Sequence, residues 1–235
     1  MKITNIYFKN NYITIMIIIL LSVIIDYLFI LKINNPPAWD QGYHLSNVFK
    51  MYNVLGDKGI NISERFNQLL NITDSYRGPL TYFLSALFLK VFNNNYQFAY
   101  LSNQIFNIIC FISIFNLGKL LKNKSTGIWA ALIFTFSSLI LSQRSDYLID
   151  LSLTSFSTLG FLFFTKWYLD KNEFSFYSSL SGASLGLIFL TKPTGITIFF
   201  LSFLLVISKS LIRKYNYSYS LKELIFFLTT FLVVI

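Results

Sequence analysis

The apolar positions of this chain fall into long runs that are separated by short polar breaks. The first run, 12–33, holds the roughly 20 apolar residues that a helix needs to cross a bilayer, with Asp26 as its only acidic residue. We therefore expect the chain to enter the membrane with its first helix. Further predicted spans lie at 97–121, 127–142, 151–169, 177–191 and 194–208, and a last apolar run begins at 224.

A polar stretch at 34–76 follows the first predicted span and contains no run long enough to cross a membrane. Within it, residues 43–55 carry apolar side chains at helical spacing, which is typical of a helix lying on the membrane surface. The next apolar segment, 78–92, is short for a span. The pattern thus predicts one long first outer loop, about 34–96, that carries surface helices.

The distribution of Lys and Arg predicts which side of the membrane each loop occupies, because these residues concentrate in cytoplasmic loops. The basic residues that mark the inside are Lys2, Lys9, Lys119, Lys122 and Lys124. They place the N-terminus and the turn at 122–126 inside, so the loop after the first span lies outside and a single crossing, 97–121, follows it. The segment 78–92 must then be re-entrant or lie along the outer face.

If each remaining apolar run crosses the membrane in turn, successive loops lie on alternate sides, and five polar side chains come to the outer face. These residues are Asp40, His44, Arg77, Asp150 and Lys192. The same alternation places 142–150 and 191–195 outside and 170–173 and 209–222 inside. If 78–92 crossed the membrane instead, Asp150 would lie on the opposite side and this convergence would be lost.

Composition agrees with a membrane protein, since hydrophobic residues make up 54% of the chain and charged residues only 12%, against roughly 25% in soluble domains. The net charge of +9 comes from scattered basic residues that form no stripe, so no nucleic-acid partner is expected. The single cysteine, Cys110, excludes an internal disulfide framework and a cysteine-rich metal site. The sequence therefore predicts an all-α polytopic membrane protein.

The segment PPAWDQGYHL, residues 36–45, places Asp40 behind two prolines whose fixed backbone angles stiffen the exit from the first span. Asp40 is interpreted either as a catalytic base or as a solvated residue that caps the helix at 43–55. Arg77 is interpreted either as a ligand of a lipid-borne phosphate or as an ordinary interfacial arginine. His44 has no second His or Cys nearby, so we expect it to support the site rather than to bind a metal.

Three further polar residues lie at or inside the apolar runs. Asp150 precedes a predicted span, where it is either part of the site or a helix N-cap. Lys192 lies between two short runs, where a lysine is costly unless it is paired or binds phosphate. Asp26 has no obvious partner in the sequence, and a polar patch between helices is preferred over a proton relay.

Four segments carry a family resemblance when they are taken in order: PPAWDQGYHL, YRGPLTYFLSALFLKVF, RSDYLIDLSLTSFSTLGFLFF and GASLGLIFLTKPTG. They resemble the N-terminal half of the multi-span GT-C glycosyltransferases, most of all the branch with protein O-mannosyltransferases and the aminoarabinose transferase that modifies lipid A. The resemblance implies a GT-C-like transmembrane helix bundle in the bacterial inner membrane. It also implies transfer of a sugar from a polyprenyl-phosphate carrier to a lipid, glycan or protein acceptor on the extracytoplasmic side.

The resemblance further implies roles for the candidate residues. Asp40 matches the proposed catalytic base, and Asp150 matches an acid that orients the acceptor or the loop. Arg77 and Lys192 match basic residues that contact the carrier phosphate, with His44 in support. Some relatives use a divalent cation and others do not, so a metal requirement is left open.

Two positions depart from the family pattern. Gln41 replaces the second acid of an Asp-Glu pair, and Gly78 replaces a proline of a Lys-Pro-Pro-Leu stretch. Because an apolar run ends abruptly at Ile235, we expect 1–235 to be a single N-terminal module that is truncated at its C-terminus, and its activity as a fragment is left open. A transporter or lipid flippase that uses Asp26 and Lys192 as intramembrane relay or substrate charges, and a membrane subunit without catalysis, are the alternatives.

Overall fold

The computed structural model describes residues 11–32, 37, 39–74, 76–92, 95–170, 176–195, 197, 198, 200, 201, 204, 208 and 217–235. Within these ranges all regular structure is helical. The α-helices are α1 (Asn11–Ile30), α2 (Trp39–Gly56), α3 (Ile62–Asn71), α4 (Leu80–Val91), α5 (Ser102–Leu121), α6 (Lys124–Thr135), α7 (Ser138–Ser145), α8 (Asp150–Leu169), α9 (Phe176–Thr191) and α10 (Tyr217–Val234). Short 3-10 segments precede α5 (Tyr96–Leu101) and follow α9 (Pro193–Gly195).

Two of the described helices are long and apolar enough to cross a membrane. They are Ile13–Ile30, with a mean hydropathy of 2.8, and the continuous Tyr96–Leu121, with a mean hydropathy of 1.6. By length and composition, these two confirm the spans predicted at 12–33 and 97–121.

The predicted span at 127–142 is not one straight helix. It is divided between α6 and α7, whose axes are bent by 57° at a short break. Phe136 follows α6 outside helical geometry, and Ser137 has the extended backbone of a residue that begins a new helix. The pair is therefore either a third, broken span or a re-entrant loop.

The other predicted spans stay predictions. α8 has 20 residues, but its many Ser and Thr residues make it less apolar than the two spanning helices, and α9 has only 16 residues. The run at 194–208 lies partly outside the described residues, and the N-terminal residues 1–10 and the loop at 171–175, on which the predicted orientation partly depends, lie wholly outside them.

The segment 78–92 forms the 12-residue α4, which at 1.5 Å per residue is about 18 Å long and too short to cross a bilayer alone. α4 packs against α2, and both contribute to one hydrophobic cluster. Val48 and Met51 of α2 meet Tyr82, Ala86 and Leu89 of α4, and all five are fully buried. The predicted surface helix at 43–55 is thus helical, but one face of it is covered by protein.

Small residues allow close helix crossings in the rest of the molecule. Gly118 of α5 lies against Gly127 of α6, and Gly182 and Gly186 of α9 lie against the backbone and side chains of α10. A Cβ atom at Gly182 would overlap the carbonyl oxygen of Phe227. Such small-residue contacts are a common means of packing helices in membranes, where burial of apolar surface gives little driving force.

Candidate active site

The segment before α4 is hydrogen-bonded to the end of α9. The Gly78 N–H donates to the carbonyl oxygen of Thr191 at 3.0 Å. A Cβ atom at Gly78 would overlap the carbonyl oxygen of Leu190, so only glycine fits at this crossing. The contact brings Arg77, the residue before Gly78, to the same end of the bundle as Lys192, the residue after α9.

All five residues that the sequence placed on one face line a single open pocket of about 300 Å³. These residues are Asp40, His44, Arg77, Asp150 and Lys192, and Tyr76, Leu148 and Ile149 complete the lining. The residues come from α2, from the turn before α4, from the start of α8 and from the end of α9. The structure thus brings together every candidate side chain, while the role of each remains a prediction.

Asp40 lies in the first turn of α2, and its side chain is 80% exposed at the mouth of the pocket. Trp39, directly before it, has a φ of 55°, a left-handed conformation that is uncommon for a residue other than glycine. Asp40 follows Trp39 in the first turn of α2. A carboxylate is favourable there, because the N-terminal end of a helix carries partial positive charge.

The Arg77 guanidinium has three neighbours around it. Its Nη1 donates to Asp74 Oδ2 at 2.7 Å, and its Nη2 lies 4.0 Å from Asp40 Oδ1. The guanidinium carbon lies 4.6 Å from the centre of the Tyr43 ring, within the range of a cation–π contact. Desolvation alone would raise the pKa of Asp74, but hydrogen bonds from the Tyr76 N–H, Arg77 and Tyr43 outweigh it and hold that pKa below its ordinary value.

Asp150 and Lys192 form an ion pair, with 3.2 Å between Asp150 Oδ1 and Lys192 Nζ. The N-cap interpretation of Asp150 is wrong, because Ile149 occupies the N-cap position without a side-chain hydrogen bond and Asp150 is the first residue of α8, with its carboxylate directed to Lys192. Both side chains are partly exposed. Lys192 is therefore paired, as expected for a lysine between apolar runs, and it presents its remaining N–H groups near the pocket.

His44 is buried behind the mouth of the pocket. Its Nδ1 lies 2.6 Å from the hydroxyl of Tyr82, which comes from α4. Burial lowers the pKa of His44 below its ordinary value, and the positive charge of Arg77 lowers it further. At neutral pH the imidazole is therefore uncharged and can offer a hydrogen bond, but not a positive charge, to an anion in the pocket.

The loop that leads into Asp150 is held by buried polar contacts. Asn103 of α5 donates to the carbonyl oxygen of Asp146 at 3.2 Å. The Tyr147 hydroxyl, fully buried, donates to Ser85 of α4. These contacts tie the start of α8 to α4 and α5, so Asp150 is presented from a supported position.

Asp26 has a partner that the sequence did not reveal. Arg144 Nη2 donates to Asp26 Oδ1 at 2.9 Å, and Gln104 Nε2 donates to Asp26 Oδ2 at 2.7 Å. Arg144 also donates to Ser22 and to the carbonyl oxygen of Thr135. The polar-patch interpretation of Asp26 thus agrees with a buried network that joins α1, α5 and α7, away from the pocket.

The apolar spanning helices define an integral membrane protein. Residues 76–235 match the family described as dolichyl-phosphate-mannose-protein mannosyltransferase. The match covers more than half of the chain, so the chain belongs to this family of glycosyltransferases, and the resemblance found in its motifs is confirmed. The search of curated proteins and the search of solved structures give no significant match.

The matched segment begins one residue before Arg77 and includes Asp150 and Lys192, whereas Asp40 and His44 precede it. Among the residues that the structure describes, no three His, Cys, Asp or Glu side chains are grouped so that they could hold a metal ion.

Proposed function

We propose that this chain transfers a sugar from a polyprenyl-phosphate carrier to a hydroxyl group of a lipid, glycan or protein acceptor. The family supports glycosyl transfer, and the pocket supports this choice of donor. The observation that carries the proposal is the gathering of Arg77 and Lys192 in the same pocket as Asp40. Two cations suit a phosphate leaving group, and a carboxylate suits the removal of a proton from an acceptor hydroxyl.

In the proposed reaction, Asp40 accepts the proton of the acceptor hydroxyl as its oxygen attacks the anomeric carbon. The bond from that carbon to the phosphate oxygen breaks, and the polyprenyl phosphate leaves with the bonding electrons, so the configuration inverts. Arg77 and Lys192 stabilise the negative charge that develops on the phosphate, which we expect to be the larger contribution to the rate. Asp150 holds Lys192 in place through their ion pair.

The site lies at the extracytoplasmic face of a polytopic, GT-C-like helix bundle in this proposal, and residues 1–235 act as one module of the bacterial inner membrane. A carrier sugar presents its reactive bond at the membrane surface, where the segment between α1 and α4 would receive it. The transporter alternative gains no support from Asp26, because that carboxylate is engaged by Arg144 and Gln104.

The test is sugar transfer from radiolabelled polyprenyl-phosphate sugars in membranes that contain the chain or its Asp40→Asn variant. Removal of a general base typically costs about 10²- to 10⁴-fold in rate. Asp57→Asn is the matched control, because Asp57 is an exposed aspartate at the end of α2 that does not line the pocket.

Loss of transfer in Asp40→Asn but not in Asp57→Asn, at equal amounts of protein, supports the proposal. Equal transfer by all three chains would show that Asp40 is not the base. No transfer by the wild-type chain with any polyprenyl-phosphate sugar, despite correct insertion, would contradict the proposed activity of this chain.

A further inference from the structure

Two residues that were not among the five candidates from the sequence contact the guanidinium of Arg77. Asp74 accepts a hydrogen bond from Arg77 Nη1 at 2.7 Å, and the Tyr43 ring lies 4.6 Å below the guanidinium. The Tyr43 hydroxyl donates to the same Asp74 oxygen at 3.1 Å. The three side chains therefore form a closed triangle that joins α2 to the turn before α4.

The Asp74 carboxylate is itself fixed from both sides. Its Oδ1 accepts the Tyr76 N–H at 2.9 Å, while its Oδ2 accepts the hydrogen bonds from Arg77 and Tyr43. Such contacts between an Asp side chain and the backbone two residues later are typical of a tight turn. The carboxylate is thus held within the turn that carries Arg77, and it cannot follow the guanidinium if that group moves away.

The triangle leaves one side of Arg77 for the pocket. Asp74 and Tyr43 occupy Nη1 and one face of the guanidinium, whereas Nη2 is directed toward Asp40, 4.0 Å away. An arginine has many rotamers, so an arginine near a membrane surface can reach lipid headgroups in several directions. Here two contacts select the direction that points into the pocket.

We propose that Tyr43 and Asp74 are positioning residues that hold Arg77 with its Nη2 side toward the donor phosphate. This inference rests on the proposed function, since it requires that Arg77 contact the phosphate of a polyprenyl-phosphate donor. Asp74 is an anion next to a phosphate site, so it does not itself favour phosphate binding. Its contribution is to orient Arg77, and that effect passes through Arg77 alone.

The inference predicts that Tyr43 matters only while Arg77 is present. Tyr43→Leu removes both the ring and the hydroxyl, and we expect weaker binding of undecaprenyl phosphate by about fivefold, as for loss of a cation–π contact and a hydrogen bond. Tyr43→Phe keeps the ring and should lose less. Asp74→Asn keeps an oxygen acceptor and should retain most of the binding that Asp74→Ala loses.

The experiment measures binding of undecaprenyl phosphate to the full chain in lipid nanodiscs, with Tyr43→Leu and Arg77→Met made singly and together. If Tyr43 acts through Arg77, the double variant should bind no more weakly than Arg77→Met alone, because coupled residues are not additive. Tyr52→Phe, on the same helix and outside the pocket, is the control. Thermal unfolding of each variant shows whether the fold is retained.

The outcomes separate the two proposals. If Tyr43→Leu binds as well as the wild type, the positioning role is overturned while the proposed function stands. The same holds if the loss of binding in Tyr43→Leu adds fully to the loss in Arg77→Met. Wild-type binding that Arg77→Met leaves unchanged overturns Arg77 as the phosphate contact, and positioning with it. A wild-type chain that does not bind the carrier overturns the proposed donor itself.

Discussion

Gly78 lies at the point where the turn before α4 crosses the end of α9. In the sequence it stands where the related motif has a proline. In the structure its N–H is bonded to Thr191, and its missing side chain leaves room for the carbonyl oxygen of Leu190. The departure from the motif is therefore explained by a close backbone contact, and that contact holds the turn that carries Arg77 against the end of α9, next to Lys192.

We predict that Gly78→Ala separates these two segments and lowers sugar transfer sharply. The added Cβ meets backbone atoms, which cannot rotate away, so the turn must move. Overpacking of this kind costs about 1–3 kcal/mol of stability. A displacement of about 1 Å at a catalytic group can cost about 100-fold in rate. Transfer assays and thermal unfolding of the purified variant measure the two effects.

Gly56→Ala is the matched control for this substitution. Gly56 ends α2, and a Cβ atom there would meet nothing within 4 Å. Alanine should therefore be neutral, or stabilising by up to about 1 kcal/mol, at this position. If Gly78→Ala behaved like Gly56→Ala in both assays, the crossing of the turn over α9 would not determine the geometry of the pocket.

Among the helices, α1 is joined to the rest of the molecule by a buried polar network. The Asp26–Arg144 ion pair is central to it, and the Arg144 side chain is completely buried. Asn107 of α5 donates to Ser22 at 2.8 Å, one turn before Asp26. Since burial of apolar surface gives little driving force between helices in lipid, such hydrogen bonds give α1 a defined register against α5 and α7.

We predict that Arg144→Leu strongly destabilises the protein, by about 3–5 kcal/mol, because it leaves the Asp26 carboxylate buried without its cation. The double variant Asp26→Leu/Arg144→Leu should recover much of this loss, since an apolar pair needs no compensating charge. Thermal unfolding in detergent is the measurement. Equal destabilisation in the single and double variants would mean that packing, rather than the unpaired charge, accounts for the effect.

Periodicity and length predicted some helices of this fold well and others only in part. The runs at 12–33 and 97–121 are continuous and strongly apolar, so a helix is their only stable form in lipid. The break between α6 and α7 was not predicted, because the run at 127–142 is apolar on both sides of Ser137. Its bend depends on what the two halves contact, which a pattern along the chain does not contain.

The sequence selected five candidate residues that the structure brings to one pocket, but it did not predict their partners. Asp150 and Lys192 form an ion pair across 42 positions, and Arg144 reaches Asp26 across 118. Tyr43 and Asp74 gave no signal, because an aromatic residue on a helix and an aspartate in a turn are ordinary features. Such pairings follow from helix packing, so the sequence alone could indicate that a partner was needed but not which residue supplied it.

At the scale of the whole molecule, the orientation in the membrane decides whether the pocket can act on a lipid-carried sugar. The pocket residues and the turn at 122–126 are predicted on opposite sides of the membrane, since α5 leads to that turn and is part of a 26-residue candidate span. Cys110 is buried, so replacing it with alanine gives a background without cysteine for site-directed labelling. Single cysteines introduced into this background then report on which side of the membrane each position lies.

Ile62→Cys and Lys122→Cys are suited to this test because both positions are exposed, one at the start of α3 in the predicted outer loop and one after α5. In intact cells we expect a membrane-impermeant maleimide to label Ile62→Cys but to label Lys122→Cys only after permeabilisation. The opposite pattern would place the pocket on the cytoplasmic side. Labelling of both positions from outside would mean that Tyr96–Leu121 does not cross the membrane, and the proposed convergence would then need a different topology.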